Sequence, residues 1–406
     1  MLDPAFWSDF FERTGEMRSP CVWPGQFSGR PASDEGELAD ILRDARSGLE
    51  AGLHMRVFIE RAERGEGLER VLRDPPRVGE GLESWSRRLF DGRRFGVVLS
   101  NAETVSEPLA RRCAHWLAPF LARRGFRFPG VTLSFFIGNY GMTPFGIHHD
   151  SHMHLFHGHV GPGTKTMYLW DPDTYKEKWG SAHFCHEPQR MLEHAEALTI
   201  EPDTFLYFPG RYYHIGDTPE FSTAVVIVLS DLFKKDLLAQ AIARCPIEPD
   251  ARGAVAPLRL RGNAVTTGLA AADEHTPVDD WLRVAITTLR LRCLSNGALT
   301  RTPRRIAVAE ASLRGARLAA VAPFRMLTHD LGDGRMVVFV RGRSLLAPAH
   351  PAVRALIEQL NTGAPLSVDE ALVRLTTAYS DGEALSFLAE LVRDQAVEVV
   401  AEEHRS

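Results

Sequence analysis

Residues 131–233 contain a succession of short β-strand patterns, and this feature constrains the fold more than any other. The apolar runs are rich in β-branched and aromatic residues, and turn formers such as Pro209-Gly210 separate them. The predicted strands lie at 131–137, 167–170, 197–200, 204–208 and 223–229. Many short strands with tight turns are typical of a sandwich or a jelly roll. We therefore predict a mainly β domain with its barrel core at 131–233.

The segments on either side of this β region carry other patterns. Residues 1–30 mix aromatic residues with Pro and Gly, which predicts a short helix and an extended arm that pack on a larger body. Apolar positions at helical spacing predict further helices over 104–124, 232–244 and 278–294. A Gly-, Ala- and Pro-rich stretch over 246–277 is predicted to be a connector.

The end of the chain is predicted to form a separate small module. Its pattern indicates a strand, three helices and a closing strand at 335–340, 351–360, 367–378, 381–394 and 396–400. This order resembles a winged-helix fold. The predicted fold class is thus a mainly β domain, a helical linker and a winged-helix-like α+β domain, which we place at 1–235, 236–320 and 321–406.

Composition argues against several classes of protein. The net charge is −5, and no apolar run approaches the roughly 18 residues that span a bilayer, so a membrane is not an expected partner. The N-terminus lacks the pattern of a signal peptide. Five scattered cysteines without C-x-x-C spacing argue against disulfides and a zinc site, and they predict a cytoplasmic location. Residues 350–406 carry ten acidic and four basic side chains, so DNA binding is not expected.

Within the β region, His148 and Asp150 form an H-x-D pair, and His214 follows 64 residues after Asp150. Residues two apart on an extended strand share a sheet face, so this pair should converge while His149 points away. Two imidazoles and one carboxylate are the ligands of the facial triad that holds Fe(II) and leaves positions open for a co-substrate and O₂. We predict these three residues as metal ligands and catalytic centre. The alternative is that they are ordinary polar residues on a barrel wall.

The segments around these ligands resemble the JmjC-type, cupin-fold 2-oxoglutarate oxygenases. Residues Glu201–His214 are similar to the family's P-G-D-x-L-Y-x-P-x-x-W-x-H segment, and Asn139–Asp150 to the strand that leads into its H-x-D. The most similar subgroup is that of the ribosomal oxygenases, which combine a JmjC barrel, a helical dimerisation segment and a C-terminal winged helix in this order. The resemblance is strong over 131–233 and architectural elsewhere, although Phe6–Pro24 is similar to their N-terminal arm.

The resemblance implies a double-stranded β-helix (jelly-roll cupin), a homodimer, and Fe(II), 2-oxoglutarate and O₂ as cofactor and co-substrates. Lys165 matches the family's G-x-K-x-W-x-L pattern, which implies that it binds the distal carboxylate of 2-oxoglutarate. It is the only lysine among the first 175 residues of the sequence, and its alternative role is a surface strand position. Asn139 and Ser230 occupy positions where the family has polar groups near the co-substrate.

The chain departs from the family pattern directly after Asp150. Six of its sixteen histidines lie between residues 148 and 159, where the family has an aromatic residue and then Gln. These histidines either face solvent, form a second metal site or line the substrate groove, and the candidates for the groove are His152, His154 and His157. An insertion between strands, predicted as a substrate-facing loop or lid, carries Trp179, His183 and His186. Beside the third ligand, Tyr213 either shapes the pocket or packs in the core.

Three hypotheses for the function follow. The first is an Fe(II)- and 2-oxoglutarate-dependent dioxygenase that hydroxylates an amino-acid side chain in a protein or peptide, such as a ribosomal protein or a natural-product precursor. The second is the same chemistry on a small molecule such as a free amino acid. The third is a cupin-type ligand sensor without catalysis, whose winged helix binds DNA. A complete set of ligands and the acidic C-terminal module argue against the third.

Overall fold

The computed structural model describes most of the chain, including both segments of the H-x-D…H motif. It describes residues 4–27, 35–125, 129–181, 187–231, 278–332 and 334–400, with short pieces at 239–241, 243, 260–261 and 264–265. Most of the predicted helix at 232–244 and of the predicted connector at 246–277 lies outside the described residues.

Strands dominate the first 231 residues. In chain order they are β1 (Cys21–Trp23), β2 (His54–Ile59), β3 (Ala62–Glu63), β4 (Phe95–Ser100), β5 (Pro129–Gly138), β6 (Gly141–Met142), β7 (Met153–Pro162), β8 (Lys165–Trp170), β9 (Glu196–Ile200), β10 (Thr204–Pro209), β11 (Tyr213–Thr218) and β12 (Ser222–Asp231). A short hairpin follows, β13 (Leu260–Arg261) and β14 (Ala264–Val265). The α-helices of this part are α1 (Pro4–Arg13), α2 (Glu35–Arg43), α3 (Ala45–Glu50), α4 (Gly65–Arg73), α5 (Leu82–Phe90), α6 (Glu107–Arg124) and α7 (Pro172–Trp179).

These strands form two antiparallel sheets that pack face to face. Among the described residues, the larger sheet has the order β1-β10-β7-β12-β5-β4-β2-β3 and the smaller sheet the order β6-β11-β8-β9. Apolar side chains of both sheets meet in one core, where Leu206 and Val226 of the larger sheet join Met167 and Ile200 of the smaller. The predicted jelly-roll fold is confirmed, and the five strands predicted at 131–137, 167–170, 197–200, 204–208 and 223–229 are present.

The sequence pattern misses strand β7, which pairs with β10 on one side and with β12 on the other. Its histidines and glycines weaken the β-branched and aromatic signal by which strands are recognised. Alternation along β7 directs Leu155 and His157 toward the smaller sheet and Phe156 toward the outer helices. Gly158 also faces outward, where a Cβ would lie 2.1 Å from Cε2 of Phe27, so a larger residue would displace the N-terminal arm.

The N-terminal arm and helix α6 cover the outer face of the larger sheet. Strand β1 of the arm pairs with β10, and Trp7 of α1 packs on Trp116 and Phe120 of α6, with ring centroids 4.9 and 5.1 Å apart. The predicted helix and arm that pack on a larger body are therefore confirmed. In the described ranges, none of the helices has the length and apolar character needed to cross a membrane.

The C-terminal elements build a second apolar core. After helix α8 (Val278–Ser295), the elements are β15 (Arg317–Ala320), β16 (Leu327–Asp330), β17 (Arg335–Val340), β18 (Arg343–Pro348), α9 (Pro351–Leu360), β19 (Leu366–Ser367), α10 (Val368–Leu375), α11 (Asp381–Arg393) and β20 (Val397–Val400). The three predicted helices and two predicted strands are present. Strand β15 pairs with both β19 and β20, so the C-terminal module begins before residue 317 and the predicted boundary at 321 is wrong. The segment Arg-Leu-Ala-Ala has too little β-branched content to signal a strand.

Arg341, between β17 and β18, ties the two cores together. Its side chain is 1% exposed and donates to both carboxylate oxygens of Glu107 at 2.7 and 2.8 Å. Its guanidinium also lies 3.5 Å from the ring centroid of Phe324. A buried cation is tolerated only when it is paired, and loss of its partner costs roughly 3–5 kcal/mol. The pair therefore fixes the C-terminal module on the first turn of α6.

Glu103 is a buried carboxyl beneath the larger sheet. It lies in a short 3₁₀ turn over Ala102–Thr104, and its Oε2 accepts a hydrogen bond from the N–H of Leu133 at 3.2 Å. Among the described residues, its Oε1 has no partner. Burial raises the pKa of Glu103 to about 7, although backbone N–H donors and the charge of Arg301 act in the opposite direction. The folded chain thus keeps this proton at a pH where the unfolded chain has lost it.

We expect the stability of the protein to fall with rising pH because of this group. Folding raises the pKa of Glu103 above its ordinary 4.5, so its contribution is fully present below pH 4.5 and is lost as the pH rises through about 7. In urea unfolding, the unfolding free energy of the wild type should fall by about 2 kcal/mol relative to that of Glu103→Gln, between about pH 5 and about pH 8. If the unfolding free energies of the two proteins changed in parallel with pH, the pKa of Glu103 would not be raised by folding and the prediction would be wrong.

Candidate metal centre

Two distant histidines are brought together by a single antiparallel backbone bridge. The N–H of His148 donates to the carbonyl of His214 at 3.2 Å, and the N–H of His214 donates to the carbonyl of His148 at 2.8 Å. Their ring centroids lie 4.3 Å apart. The prediction that residues 148–150 form one extended strand is wrong, because only this bridge is present and a turn follows Asp150.

A second set of backbone bonds holds the carboxylate beside the imidazoles. The N–H of Asp150 donates to the carbonyl of Gly210 at 2.7 Å, and the N–H of Gly210 donates to the carbonyl of Met153 at 2.8 Å. A Cβ on residue 210 would lie 2.2 Å from the carbonyl oxygen of Asp150, so this close approach requires glycine. Oδ2 of Asp150 lies 3.7 Å from Nε2 of His214 as a result.

His148, Asp150 and His214 form a group that can hold a metal ion. Each offers one ligand atom, and these atoms all lie within 4.8 Å of one another. Among the described residues no other such group of His, Cys, Asp or Glu is present, so the histidine run adds no second metal site there. Two nitrogens and one oxygen on one face are the ligand set expected for Fe(II) with open positions.

The hydrogen bonds of the two imidazoles orient them as ligands. Nδ1 of His148 lies 2.9 Å from the carbonyl oxygen of Gly146, and Nδ1 of His214 lies 3.0 Å from that of Tyr212. A carbonyl only accepts, so each Nδ1 carries the hydrogen and each Nε2 keeps its lone pair for a metal.

The electrostatics of the site suit a cation. Burial holds the pKa of His214 well below its usual range, and the neighbouring His148 acts in the same direction, so His214 is a neutral ligand. Burial also raises the pKa of Asp150, although His148 acts against it. A buried carboxyl that resists ionisation becomes a good ligand once a cation compensates its charge.

The ligands open into a cavity of about 470 Å³ between the two sheets. Lys165 lines the same cavity, is 4% exposed, and donates to the hydroxyl of Tyr140 at 3.2 Å. Its ammonium lies 5.4 Å from the ring centroid of Phe136, and no described carboxylate forms an ion pair with it. The alternative surface position is therefore wrong for Lys165. A buried ammonium without an anionic partner marks this end of the cavity as a site for an anion.

Asn139 and Ser230 are not brought to the cavity. Oδ1 of Asn139 accepts a hydrogen bond from the N–H of Phe95 at 3.0 Å, which directs this amide toward a separate cleft. Ser230 lies at the end of β12, two residues beyond Val228, and does not reach the cavity wall. The structure therefore does not support a role for either residue beside the co-substrate.

The neighbours of the ligands pack in the core instead of lining the cavity. His149 points away from the ligands, as predicted, with its ring 4.7 Å from that of Tyr213. The ring of Tyr213 stacks on that of Tyr175 of α7, with centroids 3.6 Å apart. Of its two predicted roles, Tyr213 therefore has the one in core packing. Trp179, at the end of α7, lies 5.2 Å from Tyr175. The other two predicted residues of the insertion, His183 and His186, lie outside the described residues.

Several cavity residues escaped the sequence analysis. Gly216 is the clearest case, since a Cβ there would lie 2.8 Å from Cε of Lys165. Of the three candidates in the histidine run, His157 lines the cavity, whereas Nδ1 of His154 lies 2.7 Å from the hydroxyl of Tyr207 on the outer side.

No protein-family model and no curated protein matches this sequence, whereas solved structures do. The crystal structure of the Escherichia coli ribosomal oxygenase YcfD superposes with a TM-score of 0.52 at 16% identity, covering 98% of this chain and 99% of that one. The same E. coli protein in complex with cobalt and 2-oxoglutarate gives 0.52 at 15% identity, covering 97% and 98%. Its complex with cobalt and succinic acid gives 0.51 at 17%, with the same coverage. This chain therefore has the fold of a ribosomal oxygenase over nearly its whole length.

We expect His214→Ala and Asp150→Ala to lose affinity for a divalent metal by at least about 100-fold, because each removes one of three ligand atoms. Isothermal titration calorimetry with Co(II) measures this affinity directly. His149→Ala is the matched control, since it removes a histidine between two ligands that points away from them. Wild-type affinity in His214→Ala would contradict the assignment of the ligands.

Proposed function

We propose that this protein is an Fe(II)- and 2-oxoglutarate-dependent dioxygenase that hydroxylates an amino-acid side chain in a protein or peptide. One observation carries the proposal: the three candidate ligands and the buried ammonium of Lys165 lie in one cavity. A metal face at one end and a single cation at the other suit a short dicarboxylate that chelates the metal. The volume of the cavity, about 470 Å³, is typical of a small-molecule site.

The spacing of the two ends supports a five-carbon dicarboxylate. Cε of Lys165 lies beside Gly216, which follows His214 by two residues on β11. Two residues of an extended strand span about 7 Å. The absence of a side chain at residue 216 leaves room next to the ammonium for the far carboxylate. Lys165 would hold that carboxylate by a charge-assisted hydrogen bond and so fix the orientation of the ligand.

The chain's own residues supply position and a dry environment for the reaction. When bound, Fe(II), 2-oxoglutarate and O₂ supply the oxidising chemistry that hydroxylates an unactivated C–H bond, with succinate and CO₂ as co-products. His148, Asp150 and His214 would hold the metal by one face. Phe136 and Phe208 make part of the cavity wall apolar, which disfavours water beside the bound groups.

A polypeptide substrate is the class that we favour. The neighbours in the comparison are described as ribosomal oxygenases, which supports a ribosomal protein or another polypeptide. The metal centre is accessible, since the side chain of Asp150 is 31% exposed. Arg56, which lines the cavity, is held by an ion pair with Glu63 and lies 4.8 Å from the ring centroid of Phe145, so it offers a polar and aromatic surface for a side chain.

The domain organisation that we propose follows the sequence prediction with one change. A catalytic domain covers 1–235, a helical segment that supports a homodimer follows, and the winged-helix-like domain begins before residue 317. The acidic balance of 350–406 favours a basic polypeptide over DNA as its partner. We propose a cytoplasmic location, in line with the five scattered cysteines of the sequence, which have no C-x-x-C spacing.

We expect anaerobic addition of Fe(II) and 2-oxoglutarate to give a weak visible charge-transfer band, and air to give succinate with a matching polypeptide substrate. Peptides from ribosomal proteins and free amino acids should be compared, with mass spectrometry to detect a gain of one oxygen atom. Turnover of peptides alone supports the proposal, and turnover of free amino acids alone would assign the enzyme to small molecules. No band and no succinate with either class would exclude the oxygenase.

We expect Lys165→Met to raise the KM for 2-oxoglutarate by about 100-fold, because it removes a buried charge-assisted hydrogen bond. Gly216→Ala should act in the same direction, since its Cβ would lie 2.8 Å from Cε of Lys165. Lys176→Met removes an exposed lysine of α7 and is the control. Steady-state kinetics measure the KM for 2-oxoglutarate in each variant. An unchanged KM in Lys165→Met would rule out a role of Lys165 in binding the co-substrate.

A further inference from the structure

His157 is a buried histidine whose polarity the fold does not use. It lies on β7 opposite Val226 of β12 and Leu206 of β10, and its side chain is directed into the space between the sheets. The residue is 3% exposed, and neither ring nitrogen has a hydrogen-bond partner among the described residues. An unsatisfied buried polar group costs about 1–3 kcal/mol, so an apolar residue would serve the core better.

His159, the next inward-facing residue of β7, is a histidine with a structural role. Nε2 of His159 donates to the carbonyl oxygen of Gly163 at 2.7 Å, so only its Nδ1 is without a partner among the described residues, and His159 does not line the cavity. His157, in contrast, lines the cavity that contains the candidate metal ligands and Lys165. The two histidines share a strand, a face and burial, and they differ in access to the cavity.

The charge state of His157 determines what it can bind. Burial holds the pKa of His157 well below its usual range, and the positive charge of Lys165 acts in the same direction. The ring is therefore neutral, with one N–H donor and one lone pair. The carboxylate that Lys165 is expected to bind has more than one acceptor site, so a neutral N–H donor complements the ammonium without repelling it further.

We propose that His157 is a second binding residue for the distal carboxylate of the co-substrate, to which it donates one hydrogen bond beside Lys165. This inference rests on the proposed function, since it assumes that a dicarboxylate occupies the cavity. The proposal gives one histidine of the run at 148–159, where the sequence departs from the family pattern, a role in selecting the ligand.

Binding to the Co(II)-loaded protein tests the inference without turnover. Isothermal titration calorimetry should compare 2-oxoglutarate with 2-oxovalerate, in which a methyl group replaces the distal carboxylate. We expect His157→Leu to weaken 2-oxoglutarate binding by about 10-fold and 2-oxovalerate binding by less than about 2-fold. His157→Gln keeps an N–H donor and should restore most of the affinity. His159→Leu, the matched control, should bind 2-oxoglutarate like the wild type.

The outcomes separate this inference from the proposed function. If the wild type binds 2-oxoglutarate but His157→Leu binds it equally well, the role of His157 is wrong and the proposed function stands. Equal losses for both ligands would assign His157 to the shape of the cavity and would also overturn the inference. If the wild type does not bind 2-oxoglutarate, the proposed function itself fails. Co(II) affinity and circular dichroism of each variant verify that the fold and the metal centre are intact.

Discussion

The backbone bridge between His148 and His214 is the interaction on which the candidate site depends. It joins the segment after β6 to β11, and the bond from Asp150 to Gly210 adds the carboxylate to the same face. Main-chain hydrogen bonds do not require a metal, so the fold itself holds the ligands together. Gly210 is part of this arrangement, since a Cβ there would collide with the carbonyl of Asp150.

The strand that carries one ligand also sets the length of the cavity. β11 places His214 at the metal end and Gly216 beside Lys165, and its antiparallel partner β8 provides that lysine. The distance between the metal face and the ammonium is therefore a property of one strand register. A slip of one residue would turn these side chains to the other face, so the proposed fit of a short dicarboxylate depends on this register.

The sequence predicted the features that depend on local pattern, and it did not predict those that depend on contacts between distant segments. The H-x-D…H spacing predicted which three side chains lie together, and the strand patterns predicted most strands of the barrel. Strand β7 was missed because its stability comes from two neighbouring strands and not from its own composition. Asn139 was misplaced because its amide satisfies the backbone of Phe95, 44 residues away in sequence. The position of Gly216 beside Lys165 could not be predicted, because a glycine adds nothing to the pattern of apolar and polar side chains.

Helix α6 connects the C-terminal module to the wall of the cavity. Its first turn carries Glu107, which neutralises the buried guanidinium of Arg341. Further along, its rings of Trp116 and Phe120 pack on Phe156, the neighbour of His157 on β7. Interiors are close-packed, so β7 cannot move without displacing these rings. The C-terminal module thus contributes to the cavity without lining it, because it holds in place the helix that supports the strand carrying His157.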